Sequence, residues 1–394
     1  MCFYDCFWLS FSRNHKKSNS FIVYHREYDL KFVKWEDLKS GMRLARPIYS
    51  KSGVLLYERD AKLTDAGIES VKNFGLLGIY ILEPAEPLPP MSEEDLEFEK
   101  FEIKTVSSLQ DELTRIITTK KQRNLPTIVS QIIRKYGHHD DKVHFYQNLR
   151  SREDYVCRHM FNTAILCALM ASRLNISVEN RLILVTAALV HDIGKISSKN
   201  PAVYGGETDP GKIRDMYDEA LSAADGLDDV FATDGPMVKR ICQQALRCQK
   251  ALDLNMDLEI KKVIPEAKIL HIAGRYDEIT GMSLTGESLS EVRAILEFQD
   301  NPGAYDPEVV QALIDSVFIL FPGVSVELSS GEKALIINEN QQNILKPTVI
   351  TFRQNSIMDL ADSDHSDIRV VDIMKTLDNR YIMNEGGASG IGIS

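Results

Sequence analysis

From Ser92 to about Asp315, apolar residues recur at helical intervals with almost no interruption. The runs Leu109–Ile117, Ile128–Ile133, Met160–Leu174, Arg181–Val190, Val238–Leu246 and Val263–Ile279 each carry the period. So long a succession of apolar stripes can be buried only by packing helix on helix, so the expected fold class is mainly α. Ser92-Glu-Glu-Asp opens the stretch like an N-cap followed by an acidic first turn. Pro201–Asp234, richer in Gly, Asp and Pro, reads as loop with one short helix at most.

The flanks follow other rules. Residues 31–83 read as a small mixed α/β module. Arg43–Tyr49 and Val54–Tyr57 form a hairpin around Ser-Lys-Ser-Gly, Thr64 caps a helix that Gly75 stops, and Gly78–Leu82 returns as a strand. Pro84, Pro87, Pro89 and Pro90 make 84–92 a linker, because proline continues neither helix nor central strand. Residues 93–150 are then connecting helices and 151–320 the main helical domain. After Pro322 the period falls to two, which predicts a short β appendage over 321–353. The tail, 354–394, begins polar, holds one helix near Ile368–Leu377 and ends in Gly and Ser. Residues 1–30 share no pattern with the rest and are expected to be unstructured or a mis-assigned start, with Leu30 the natural beginning.

Forty-six Lys and Arg against 57 Asp and Glu give a net charge of −11, and no basic stripe is present. A nucleic-acid polymer or an anionic membrane surface is therefore not an expected partner. The longest apolar runs, Ile165–Ala171 and Leu182–Val190, fall short of the roughly 20 residues that a membrane span needs. Six cysteines without a C-x-x-C pair, behind a start lacking the basic region of a secretory signal, point to free thiols and a cytoplasmic location.

The chemistry concentrates in two places. Asp154-Tyr-Val-Cys-Arg-His159 opens one apolar helix, and Ala187-Ala-Leu-Val-His191-Asp192-Ile-Gly-Lys195 closes another. Two imidazoles and a carboxylate at helix mouths suit a borderline divalent metal such as Fe or Mn. The alternative is a satisfied core histidine beside a helix-end Asp. A second His-Asp pair, His139-Asp140, has nothing helical around it and reads as structural.

The run from Asp154 to Lys195 resembles the HD-GYP family, the cyclic-di-GMP phosphodiesterase branch of the HD metal-dependent phosphohydrolases. Pro265–Thr280, Gly303-Ala-Tyr-Asp-Pro307, Phe321-Pro-Gly and the module ahead of the helices extend the likeness over about residues 31–353. The resemblance implies an all-helical HD-type domain with His159, His191 and Asp192 as metal ligands. Asp192 and Lys195 would be catalytic, Lys195 lying near a substrate phosphate; from the residues alone it is a solvated helix-end cation.

The departures carry equal weight. Where the family has His-His-Glu, the aligned helix reads Gln243-Gln244-Ala245, and no Gly-Tyr-Pro follows. The family's later ligand Asp falls on Gly274, Asp277 matching its second, non-ligand Asp. His271 and Glu278, a turn to either side of Gly274, are the conceivable substitutes. With so few donors left, one divalent ion at most is expected. The resulting expectation is a degenerate HD-GYP-like protein, a regulatory or cyclic-dinucleotide-responsive module with weak or no hydrolysis. The alternatives are an active phosphohydrolase with a reduced metal site, and a scaffold that only dimerises. A homodimer through the helical segment Ser92–Gly137 is a further expectation.

Overall fold

The computed structural model describes residues 30–49, 54–59, 61–76, 78–82, 93–138, 141–145, 150–281 and 288–374. The expectations for residues 1–29, for the linker 84–92, for the Ser92 N-cap and for His139-Asp140 lie outside them.

The amino-terminal module contains β1 (Leu30–Lys34), β2 (Arg43–Leu44), β3 (Ile48–Tyr49), β4 (Leu55–Tyr57), α1 (Asp65–Asn73) and β5 (Gly78–Leu82). The run Arg43–Tyr49, expected as one strand, is split at Arg46-Pro47. Its first half pairs with β5 in the antiparallel order β1-β5-β2, and its second half forms the β3–β4 hairpin. Thr64 Oγ1 caps α1 by accepting from Gly67 N at 3.1 Å. Val33, Leu44, Val71, Ile79 and Ile81 close a small core of the module's own. Ala45 and Tyr80 instead join the core of the helical body.

That body comprises α2 (Glu93–Thr119), α3 (Leu125–Tyr136), α4 (Tyr155–Arg173), α5 (Val178–Val190), α6 (Pro210–Asp225), α7 (Gly235–Asp253), α8 (Pro265–Thr280), α9 (Glu291–Asp300) and α10 (Pro307–Ser316). Every residue of α4 from Met160 to Ala171 is buried. A helix apolar on all sides must be central, and α2, α3, α5, α8 and α10 surround it. Pro201–Asp234, expected as loop with one short helix, holds α6, which at 16 residues is longer than expected. The signal was present in Asp209-Pro210: Asp209 accepts from Gly211 N at 2.8 Å and proline occupies the first turn. Met216, Tyr217, Ala220 and Ala224 then supply the buried stripe.

Beyond α10, β6 (Ser325–Leu328), β7 (Lys333–Asn338), β8 (Thr348–Thr351), β9 (Ile357–Asp359) and β10 (Val370–Ile373) form an antiparallel sheet in the order β10-β6-β7-β8-β9. The helix expected near Ile368–Leu377 is, over its described part, strand β10. Paired to β6, it buries Val370 completely. The β-branched run Val370-Val371-Asp-Ile373 prefers an extended backbone, and an open sheet edge was available to it.

Candidate metal centre

His159 lies in the second turn of α4, while His191 ends α5 and Asp192 follows it. The Ile193–Lys195 turn packs on α6 so closely that a Cβ on Gly194 would stand 2.9 Å from Ala220 Cα, which explains a glycine there. The three side chains converge: His159 Nε2 and His191 Nε2 lie 3.6 and 3.7 Å from Asp192 Oδ2. Each offers one ligand atom within 4.8 Å of the others, the one such group among the described residues.

Each side chain is oriented from behind. His159 Nδ1 donates to Asp277 Oδ2 at 2.7 Å, and His191 Nδ1 donates to the Ala188 carbonyl at 2.8 Å. Because both acceptors lack a proton, both imidazoles carry hydrogen on Nδ1, which leaves Nε2 as the nitrogen turned toward the cluster. Those two Nε2 atoms and Asp192 Oδ1 are buried with no hydrogen-bond partner. Three buried polar atoms without partners in one cluster are costly unless something takes their lone pairs. Two imidazoles and a carboxylate fit a borderline divalent cation.

The electrostatics agree. Burial raises the affinity of Asp192 for a proton, but Lys195, at 2.8 Å, and the two imidazoles outweigh it and hold the pKa down to about 2. Desolvation lowers His191 to about 4, so it is neutral at pH 7. Lys195 is not the solvated cation that its position suggested. It is 5% exposed, bonded to Asp192, and its ammonium lies 5.3 Å from the Tyr217 ring centroid.

The site opens on a cleft of ≈ 400 Å³ whose walls include Tyr155, Lys195, Tyr217, Asp253, Arg275 and Glu278. Arg275 is engaged by Glu297, Asp253 and Glu278 at 2.7, 3.3 and 3.5 Å, so its charge is already matched by carboxylates.

Other residues singled out in the sequence fall elsewhere. Gln243 donates to Asp225, and Gln244 Oε1 accepts from Ile264 N, so neither is committed to the metal centre. The α7 residue at the centre is Gln249, 2% exposed, whose Nε2 sits 2.8 Å from where a Cβ on Gly274 would be. That Cβ would lie 3.9 Å from His159 Nε2, so position 274 does face the ligands and offers them nothing. His271 stacks on Tyr305, with centroids 5.2 Å apart and planes 9° apart, outside the ligand group. Glu278 lines the cleft. Arg158 is bonded to Asp154 and to the buried Glu102.

Sequence reasoning missed the partners of Asp277. This carboxylate, 0% exposed, receives Arg150 Nη2 at 2.7 Å on both oxygens, as well as Asn162 Nδ2 at 2.9 Å. Burial opposes its ionisation, but Arg150 first, then His159 and Asn162, hold it well below the usual carboxylate range. No local signal joins positions 127 residues apart.

His271 supplies a pH test. Desolvation lowers its pKa from 6.5 to about 3, so the native state keeps it neutral while the unfolded chain takes up a proton below pH 6.5. Its contribution to stability is complete above that value and is lost as pH falls toward 3. Between pH 7 and pH 5 the wild type should lose about 2 kcal/mol relative to His271→Phe. Urea unfolding of both proteins at the two pH values measures the difference; parallel losses would refute it.

Comparison with known proteins follows the same segment. Residues 156–279 match the model of the HD domain family. The cyclic di-GMP phosphodiesterase PA4108 of Pseudomonas aeruginosa is 23% identical over 233 residues, which is 57% of this chain and 54% of that protein. The chain thus spans about half the length of this curated relative. The HDG"Y"P protein Bd1817 from Bdellovibrio bacteriovorus is 14% identical, with a TM-score of 0.40 over 73% of this chain and 99% of its own. No helix among the described residues is long and apolar enough to cross a membrane.

Proposed function

Residues 156–279 are an HD domain, and on that premise we propose that the chain is a cyclic-dinucleotide-responsive signalling module that holds one divalent cation and hydrolyses weakly or not at all. The observation that carries this reading is the donor set: His159 Nε2, His191 Nε2 and Asp192 converge, and the neighbouring position that could add a carboxylate is Gly274.

His159, His191 and Asp192 would hold Fe²⁺ or Mn²⁺. A cation there supplies Lewis acidity toward a phosphoryl oxygen. The remaining work falls to the chain's own groups. Lys195 keeps the Asp192 carboxylate ionised and in place, and it presents its ammonium at the cleft wall toward a phosphate. Arg275, its charge matched by three carboxylates, is a poor phosphate clamp. Asp192, Glu207, Asp253 and Glu278 outnumber Lys195 and Arg275 along the cleft. A phosphodiester would therefore meet net negative charge in the metal-free protein.

Binding should accordingly depend on the cation. Calorimetric titration of cyclic di-GMP into Mn²⁺-loaded protein is expected to give heat that a chelator abolishes, with one ion per chain by elemental analysis. No heat in the loaded protein would overturn the nucleotide reading. The second reading, an active phosphohydrolase on a reduced site, is favoured by Asp253 and Glu278 at the cleft, two carboxylates that could substitute for missing ligands. Two ions per chain with turnover lost in His191→Ala would establish it instead.

A further inference from the structure

The segment that carries Arg150 is also where the amino-terminal module meets the helical body. Gly75 O accepts from Arg152 N at 3.1 Å, and Leu76 pairs with Ser151 in an antiparallel bridge. On its other side the same turn is held by Asp154, which accepts from Ser151 N at 2.7 Å and binds Arg158, itself paired with Glu102 of α2. The residue next to the bridge, Arg150, is 1% exposed and reaches inward. Its guanidinium grips both oxygens of Asp277, and Asp277 Oδ2 accepts from His159 Nδ1. The path is built for close approach: a Cβ on Gly281 would stand 2.6 Å from Arg150 Nη2. One unbroken series of bonds thus runs from the module's loop between α1 and β5 to a residue of the candidate metal centre.

We propose that Arg150 is a strut through which the seating of the amino-terminal module sets the orientation of His159, and with it the cation affinity of the site. This rests on the reading of His159 as a ligand. Arg150 Nη2, bonded to both oxygens at once, fixes the Asp277 carboxylate, which fixes the direction in which His159 Nδ1 donates and with it the direction of Nε2. Lysine is no substitute, having the charge without the planar guanidinium, whose Cζ lies 5.3 Å from the Tyr155 ring centroid. Whatever lifts the module from residues 151–152 removes one anchor of the strut, so an event at the module is felt at the metal without touching the cleft. Arg150 is a positioning residue; it acts through Asp277.

The test uses the full chain with ¹⁵N-labelled histidine. Arg150→Lys removes the planar guanidinium, and Ala45→Arg places a charge where the module, 2% exposed at that point, packs on the helical core. In metal-free wild type the His159 ring should show the well-separated nitrogen shifts of a single Nδ1-protonated tautomer. Both variants should move those shifts toward the average of two tautomers, with His191 unchanged. The Kd for Mn²⁺ should rise about 10- to 100-fold in each. Unchanged His159 shifts in either folded variant overturn the strut. A wild type that takes up no Mn²⁺, yet whose His159 shifts respond in both variants, supports the strut and refutes the single-cation reading instead.

Discussion

Asp277→Ala should be among the most destabilising single substitutions in this chain, costing about 3–5 kcal/mol at pH 7. The side chains of Arg150 and Asp277 are 1% and 0% exposed and joined by two bonds of 2.7 Å. Removing the carboxylate strands a guanidinium that cannot deprotonate and that has no route to water. It also takes the acceptor from His159 Nδ1 and Asn162 Nδ2. A double-mutant cycle separates these effects. Arg150→Met/Asp277→Ala removes both charges and should recover part of the loss, because most of the single-mutant cost is the unpaired cation. Denaturant unfolding of the four proteins in the metal-free state reads the cycle. If Asp277→Ala loses less than about 1 kcal/mol, the buried pair is not the element that sets this corner of the fold.

Restoring a carboxylate beside His159 should strengthen cation binding at least tenfold, or about 1.4 kcal/mol. The variant is Gly274→Asp/Gln249→Ala. Both changes are needed because Gln249 Nε2 occupies the space of the new Cβ, at 2.8 Å. Position 274 lies inside α8, so adding a side chain should itself favour the helix by about 0.5–1 kcal/mol. Against that stands the charge brought in near Asp192, which makes the variant less stable without metal than with it. Mn²⁺ titration and melting in the presence and absence of Mn²⁺ test both halves. An unchanged Mn²⁺ affinity would mean that the shortage of ligands at the centre lies elsewhere than at Gly274.

Much of the architecture was legible before any coordinates. The helices α2, α3, α4, α5, α7 and α8 lie on the runs that carried a helical period, because burying an apolar stripe against neighbours demands that spacing wherever the neighbours come from. The length of helix α6 and the existence of strand β10 were not read. In α6 a polar, glycine-containing start hid a cap and four buried residues, and β10 exists only because β6 offers it an edge. The resemblance to the HD-GYP family placed Asp beside His, and the family match covers residues 156–279.

The sequence by itself determined the periodicity that makes the chain helical, the two histidines and the aspartate at 159, 191 and 192, and the glycine at 274. Tertiary structure alone decided which nitrogen each imidazole presents, that Lys195 faces inward onto Asp192, and that Arg150 closes on a carboxylate 127 residues away. The reason is one of range. Periodicity and residue type are local properties written in consecutive positions. Hydrogen-bond partners and desolvation depend on which distant segments packing brings within about 3 Å of each other.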